Sequence, residues 1–174
     1  SLGAKVKEVK LEDLPYMSLI NILYAEAAAA FEHLTLSNED DTLTRQDKEA
    51  WPNIFRKARF LSAVDHVQLD RLRYLVMKAL DKLFKEVDIL IGPFDTGPML
   101  VASNFTGHPC LHLRAGFEYL ATRGATSFGS ITSGTTNLKS EEVVKESKFK
   151  VPNGISLWGG LFQEEKILNF GMAL

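Results

Sequence analysis

Between Leu61 and Val87 the chain runs LSAVDHVQLDRLRYLVMKALDKLFKEV without a glycine or a proline. Leu61, Val64, Leu72, Leu75, Val76, Ala79, Leu80, Leu83 and Val87 recur at helical spacing with lysine and aspartate opposite, the pattern of one long amphipathic helix. Ser62 is its expected N-cap, with Asp65 three residues on as the capping-box partner. Directly afterwards, DILIGP (Asp88–Pro93) is short, apolar and closed by Gly-Pro, which predicts a buried strand. A long helix feeding straight into an apolar strand points to a layered α/β arrangement.

The remaining segments extend that reading. Ala4–Leu11 (AKVKEVKL) alternates apolar and charged residues and predicts a strand with one wet face, at a sheet edge or surface. Met17–Leu34 is apolar on most sides and free of Gly and Pro, as expected of a helix covered by neighbours. Ser37–Thr44 (SNEDDTLT) reads as a solvated acidic turn, since it lacks the ligand spacing and glycine of a calcium loop. Arg45–Arg59 predicts short helical pieces interrupted near Pro52. A short helix is expected over Thr96–Phe105, with Pro98 in its first turn and Gly107 past its end. Strands are expected at His108–Leu113 and Gly154–Trp158, and a closing helix at Gln163–Leu174 after a Gly159-Gly160 turn. Gly116–Val151 reads as a polar excursion holding one charged helix, Ser140–Ser147. The expected architecture is a single α/β domain over residues 1–174, a layered mixed sheet flanked by helices with a polar insertion at 117–151.

Composition narrows the function. The chain has 174 residues, 45% hydrophobic and 24% charged, with a formal net charge of −2. That is enough for one ordinary soluble domain, and near-neutral charge argues against a nucleic-acid partner, whose binding needs clustered cations. No apolar run approaches the roughly 20 residues that cross a bilayer, so no membrane partner is expected. The charged start is not a signal peptide, and the single cysteine fits a reducing, cytoplasmic setting. Without a secretion signal, the Asn104-Phe105-Thr106 acceptor pattern implies no glycan. The chain begins Ser1-Leu2 rather than with Met, which reads either as a cloning scar or as the new end left when a longer protein is cut.

His108, Cys110 and His112 alternate and would share one face of a strand. Structural zinc takes four ligands and no second cysteine exists, so core packing is expected for Cys110 and loop or strand-end duty for the histidines. The hydroxyl-dense Ser130–Thr136 (SITSGTT) lacks the Gly-x-Ser-x-Gly elbow and a partnered histidine nearby, which makes it a surface loop rather than a nucleophile site. Arg71 and Arg73 point in different directions from the long helix. Pairing with Asp70 or Asp88 is the default for them, and substrate contact the other reading. No catalytic residue, metal or cofactor is expected in this chain from its own chemistry.

Three tracts nonetheless carry a family likeness. SAVDHVQLDRLR followed by FKEVDILIGP, then SNFTGHPCLHLRAG, then PNGISLWGGLFQEEKIL, in this order, resemble the C-terminal part of amidase-signature hydrolases. There they correspond to a long helix and Asp-started strand, an Asn-x-x-Gly-x-Pro segment, and a Pro-x-Gly strand with its Gly turn and Glu-bearing final helix. LGAKVKEVKL and AEAAAA fit the region just upstream, so the likeness spans nearly the whole chain.

The resemblance implies an amidase parent, a hydrolase acting on a C–N amide bond through a Lys–Ser–Ser triad in its N-terminal half. No Lys with a downstream Gly-Gly-Ser-Ser tract occurs here, so it also implies a chain that lacks the catalytic residues and supplies scaffold and pocket wall. The partners implied are the N-terminal catalytic part of the same polypeptide and a small amide substrate. Phe94, Asp95 and Thr96, in the loop after DILIGP, are the expected substrate-binding wall, since open α/β sheets hold ligands at strand C-termini. Ordinary loop duty is their other reading.

Two departures stand out. Arg114 replaces the proline usual before the strand-ending glycine, and the Gly116–Val151 excursion is longer than the usual connection. The resemblance also raises the glutaminases of the tRNA-dependent amidotransferases, in which an Asp grips the substrate amine and an Arg precedes the long helix. Here Asp95 is the one carboxylate near that position, and Arg56 lies in the arginine's neighbourhood. The other reading, from a different class, is a non-catalytic binding or oligomerisation domain. Apolar faces bared by a cut would favour self-association as a homo-oligomer.

Overall fold

The computed structural model describes residues 3–93, 96–120 and 149–174. Six α-helices and three strands are found among them: α1 (Ile20–Ala30), α2 (Glu32–Leu36), α3 (Trp51–Ala58), α4 (Ala63–Phe84), β1 (Ile89–Pro93), α5 (Pro98–Thr106), β2 (Cys110–Leu120), β3 (Phe149–Gly159) and α6 (Glu164–Ala173). The α/β class expected from the sequence is observed. The sheet itself differs from expectation: its order is β1-β3-β2 and both pairings are antiparallel, so among the described strands it is not mixed. β3 takes the centre because β2 and β3 pair along their whole length, from Cys110 opposite Trp158 to Leu120 opposite Phe149. β2 and β3 therefore run past the expected His108–Leu113 and Gly154–Trp158 limits, and residues 117–120 and 149–151 of the excursion are strand. Its remainder, 121–148, lies outside the described residues, as do the expected Ser140–Ser147 helix and the Ser130–Thr136 tract.

Side-chain alternation divides the sheet into two faces. One face carries Leu111, Leu113 and Leu157 beneath α6. There a Cβ on Gly171 would sit 2.6, 3.2 and 3.7 Å from these three side chains, so glycine allows the close approach of helix to sheet. The other face carries Leu90 and Trp158, and Trp158 is buried in a core with Leu19, Val76, Leu80, Met99 and Ala102. The sheet is thus flanked by α6 on one side and by α4, α5 and the 3-10 turn Tyr16–Leu19 on the other.

The long helix forms as its sequence dictates. Ser62 Oγ accepts from the backbone N–H of Asp65 at 3.0 Å and donates to that residue's carboxylate at 2.6 Å, so cap and partner satisfy each other. Its buried stripe is Val76, Leu80 and Leu83, with Leu69 and Leu72 partly covered. Val64 and Leu75, expected in that stripe, are 69% and 49% exposed, and Val67 and Tyr74 are exposed beside them. The helix carries apolar residues on two faces, and only one meets the core.

Other segments depart for identifiable reasons. Ala4–Leu11 is not a strand: no described strand lies alongside to complete its hydrogen bonds. It runs irregularly, with Val9 and Leu11 half-buried against the core and Lys7 paired to Glu86 at 2.7 Å. Pro52 lies in the first turn of α3 rather than interrupting it, because a first-turn proline forfeits no intrahelical bond. The Met17–Leu34 helix breaks at Phe31, whose ring stacks on Phe55 at 5.3 Å. α5 starts at Pro98 and ends at Gly107, whose φ of 79° is the left-handed cap glycine adopts most readily. Among the described residues, no helix is long and apolar enough to cross a membrane.

Candidate functional site

The segment after β1 and the sheet face beside it form the candidate site. β1 ends at Pro93; Phe94 and Asp95 lie outside the described residues, and Thr96 is half-buried just before α5. Gly97, at φ 52° and ψ −136°, occupies backbone space that essentially only glycine reaches, which turns the chain sharply into α5. Of the three expected wall residues, the structure therefore places Thr96, at the C-terminal end of β1.

Two rows of the sheet lie next to that end. In the nearer, Gly92, Ser156 and His112 face one another across β1, β3 and β2; in the next, Leu90, Trp158 and Cys110 do. A Cβ on Gly92 would meet the Trp158 ring at 2.9 Å, so the indole lies against β1 where a side chain is missing. Ser156, fully buried, holds His112: its Oγ is 2.8 Å from Nδ1. The other ring nitrogen, Nε2, is 3.7 Å from the Cys110 Sγ. Hydroxyl, imidazole and thiol thus line up from the middle of the sheet to its outer strand.

Cys110 is exposed, which corrects the expected core packing. Trp158, one strand inward, still lies beneath the helices, whereas β2 is the outermost described strand and their cover stops short of it. Desolvation by the surrounding atoms nevertheless pushes the thiol up from its ordinary value, so it is no activated thiolate. His108 separates from the other two. It lies before β2, buried, with Nδ1 2.7 Å from Thr106 Oγ1 and its ring stacked on Phe84 at 5.2 Å. Burial lowers its pKa, outweighing the opposing Asp81 charge. This is the strand-end duty expected of it.

Arg114 stacks on the Phe117 ring at 4.8 Å, and Lys150 lies 4.2 Å from the same ring. Arg114 and Lys150 thus build a cationic, aromatic surface beside the bulge between Arg114 and Gly116.

The remaining sequence candidates resolve structurally. Arg56 Nη2 lies 2.7 Å from Asp40 Oδ2 and 2.6 Å from Asp41 Oδ1, so the acidic turn holds a guanidinium where a calcium loop would hold a cation. Arg73 pairs with Asp70 and Lys166 with Asp88. Two surface clefts, of about 310 and 230 Å³, border Tyr24, Ile54 and Phe60 and the Leu11–α4 contact, and neither includes a residue of the loop after β1. Among the described residues, no three His, Cys, Asp or Glu side chains group to hold a metal ion.

Ser156 is the site residue that sequence reasoning missed. GISLW alternates Ile155, Leu157 with Ser156, Trp158, which marks Ser156 as belonging to the other face from Leu157. Only the strand register shows that His112 lies above it.

Compared with known protein families, with curated proteins and with solved structures, the chain matches none.

Proposed function

We propose that this chain is the C-terminal part of an amidase, a hydrolase cleaving a C–N amide bond, and that it supplies scaffold and substrate-pocket wall to a nucleophile carried elsewhere in the same polypeptide. One observation carries the reading. The three tracts that bear the family likeness hold β1, β2 and β3, which pair into one sheet closed by the helix that ends the third tract.

The chemistry of the described serines is consistent with a supporting role. Three of them, Ser103 donating to the Met99 carbonyl, Ser62 capping α4 and Ser156 orienting His112, are engaged in local structure. An acyl-transfer centre needs nucleophile, base and oxyanion donors preorganised together. The Cys110–His112–Ser156 line holds a thiol whose ionisation is disfavoured.

In this reading the loop Phe94, Asp95 and Thr96 forms the wall that a small amide meets, and no cofactor takes part. The exposed apolar residues of α4 then meet the N-terminal catalytic part. The glutaminase reading is disfavoured, because Arg56 is already engaged by two carboxylates and is not poised for a substrate carboxylate.

The coding frame upstream of Ser1 is the first test: a Lys and a Gly-Gly-Ser-Ser tract are expected there, and their absence sinks the proposal. In the longer polypeptide, Phe94→Ala and Thr96→Ala should raise KM for simple amides several-fold with a smaller change in kcat, as loss of ground-state contacts does. Residues 1–174 alone should give no turnover. Activity that follows the purified short chain would overturn the division of labour.

A further inference from the structure

We infer that the β2–β3 ribbon, where it runs on past β1, binds a small molecule with an apolar stem and a terminal anion, a carboxylate or a phosphate, through Arg114, Lys150 and Phe117. This goes beyond the amidase reading and does not rest on it. Three observations carry it. The first is a convergence of charge. Arg114 and Lys150 are both exposed and both lie over the Phe117 ring, 4.8 and 4.2 Å from its centroid. Two like charges held at one ring repel, and an anion between them removes that repulsion. Among the described residues, no carboxylate lies within ion-pair distance of either cation. A guanidinium fork beside an ammonium point charge suits a carboxylate or a phosphate equally.

The second observation is the bulge. Lys150, Pro152 and Gly154 belong to the same face of β3 as Ser156, and before the bulge His112 and Arg114 share that face. The extra residue between Arg114 and Gly116 shifts the alternation of β2, so Phe117 and Tyr119, opposite Pro152 and Lys150, join it. A regular strand would turn both rings to the α6 face, away from the cations.

The third is the uncovered floor. β1 pairs only as far as Pro93 opposite Ile155, so no described strand flanks β3 beyond that row, and Gly154, opposite Arg114, has no side chain. Phe117 and Tyr119 are 47% and 62% exposed, an apolar surface beside the two charges. A small anion fits this better than a nucleic acid, because two cations on a chain of net charge −2 make no run of phosphate contacts.

NMR titration of the intact, nitrogen-15-labelled chain tests the site with three probes: 4-phenylbutyrate, 4-phenylbutyl phosphate and the neutral 4-phenylbutanamide. The anions should shift the backbone amides of Arg114, Phe117, Tyr119 and Lys150, and should bind about tenfold more tightly than the neutral probe. Whichever anion binds more tightly identifies the head group. Arg114→Gln and Lys150→Gln, both at exposed positions, should each weaken the anions about threefold and leave the neutral probe unchanged. An unaltered amide spectrum away from the ribbon checks that each variant is folded. Added salt should weaken the anions alone. Equal affinity for the neutral and anionic probes overturns the proposal, and so does the absence of shifts at these residues. Anion affinity unchanged in both variants overturns it too, since the cations would then take no part.

Discussion

Replacing Arg56 by methionine keeps most of the side-chain stem and removes the charge that the Asp40 carboxylate faces. Asp40 is 1% exposed, and although Arg56 Nη2 lies 2.7 Å from Oδ2, neither carboxylate oxygen has an aligned hydrogen bond. The guanidinium is therefore its principal compensation. Removing one partner of a fully buried ion pair costs about 3–5 kcal/mol. Arg56 is 38% exposed, so water reaches the vacated space and the expected loss falls to about 2–3 kcal/mol. Asp41, 67% exposed, adds no more than about 0.5 kcal/mol.

A double-mutant cycle with Asp40→Asn isolates the pair. The Asn variant removes the buried charge, so Arg56→Met should cost under about 1 kcal/mol in that background, leaving a coupling of about 1.5–2 kcal/mol. Urea unfolding at neutral pH reads all four proteins, with unchanged m-values as the condition for comparing them. Equal losses in both backgrounds, or a single-variant effect below about 0.5 kcal/mol, would refute the pairing argument. The outcome also bears on function, because an arginine kept for substrate would change KM and leave the unfolding midpoint nearly where it was.

The two faces of α4 should respond differently to truncation. Leu80→Ala, at 1% exposure, is expected to cost about 3 kcal/mol, whereas Val64→Ala, at 69%, should stay within about 0.5 kcal/mol in urea titrations; similar losses would mean the buried face is misassigned. A Cβ at Gly154 would lie 2.1 Å from the Leu113 carbonyl oxygen, so Gly154→Ala should cost about 2 kcal/mol or more by thermal unfolding, and an unshifted midpoint would contradict the β2–β3 register. Burial holds the His108 pKa below its ordinary 6.5, so the unfolded chain takes up that proton first. Stability should be full above that value, fall as pH drops through it, and level off below the depressed folded pKa; a variant His108→Gln that kept the same slope would exclude His108 as the source.

Local signals explain which parts of this architecture were readable. Ser62 with Asp65, Pro98, and Gly107 each act within one turn of the residue they cap, so the starts of α4 and α5 and the end of α5 could be placed from neighbours alone. The break at Phe31 could not, because the ring it stacks on belongs to α3. Nor could the buried face of α4: Val64, Val67, Tyr74 and Leu75 are as apolar as Leu72, Val76, Leu80 and Leu83, and only tertiary contact chooses between the two sets.

The candidate site divides along the same line. Alternation alone puts Cys110 and His112 on one face of a strand, but Ser156, 44 positions away, reaches His112 through register. A slip of one residue would carry Ser156 to the α6 face and bring Leu157 or Ile155 beneath the imidazole. The same register sets Trp158 opposite Cys110, so helical cover reaches the indole and leaves the thiol open. Exposure of the thiol and orientation of the imidazole are therefore two consequences of one alignment, and neither could be read from Cys110–Leu120 or Phe149–Gly159 taken singly.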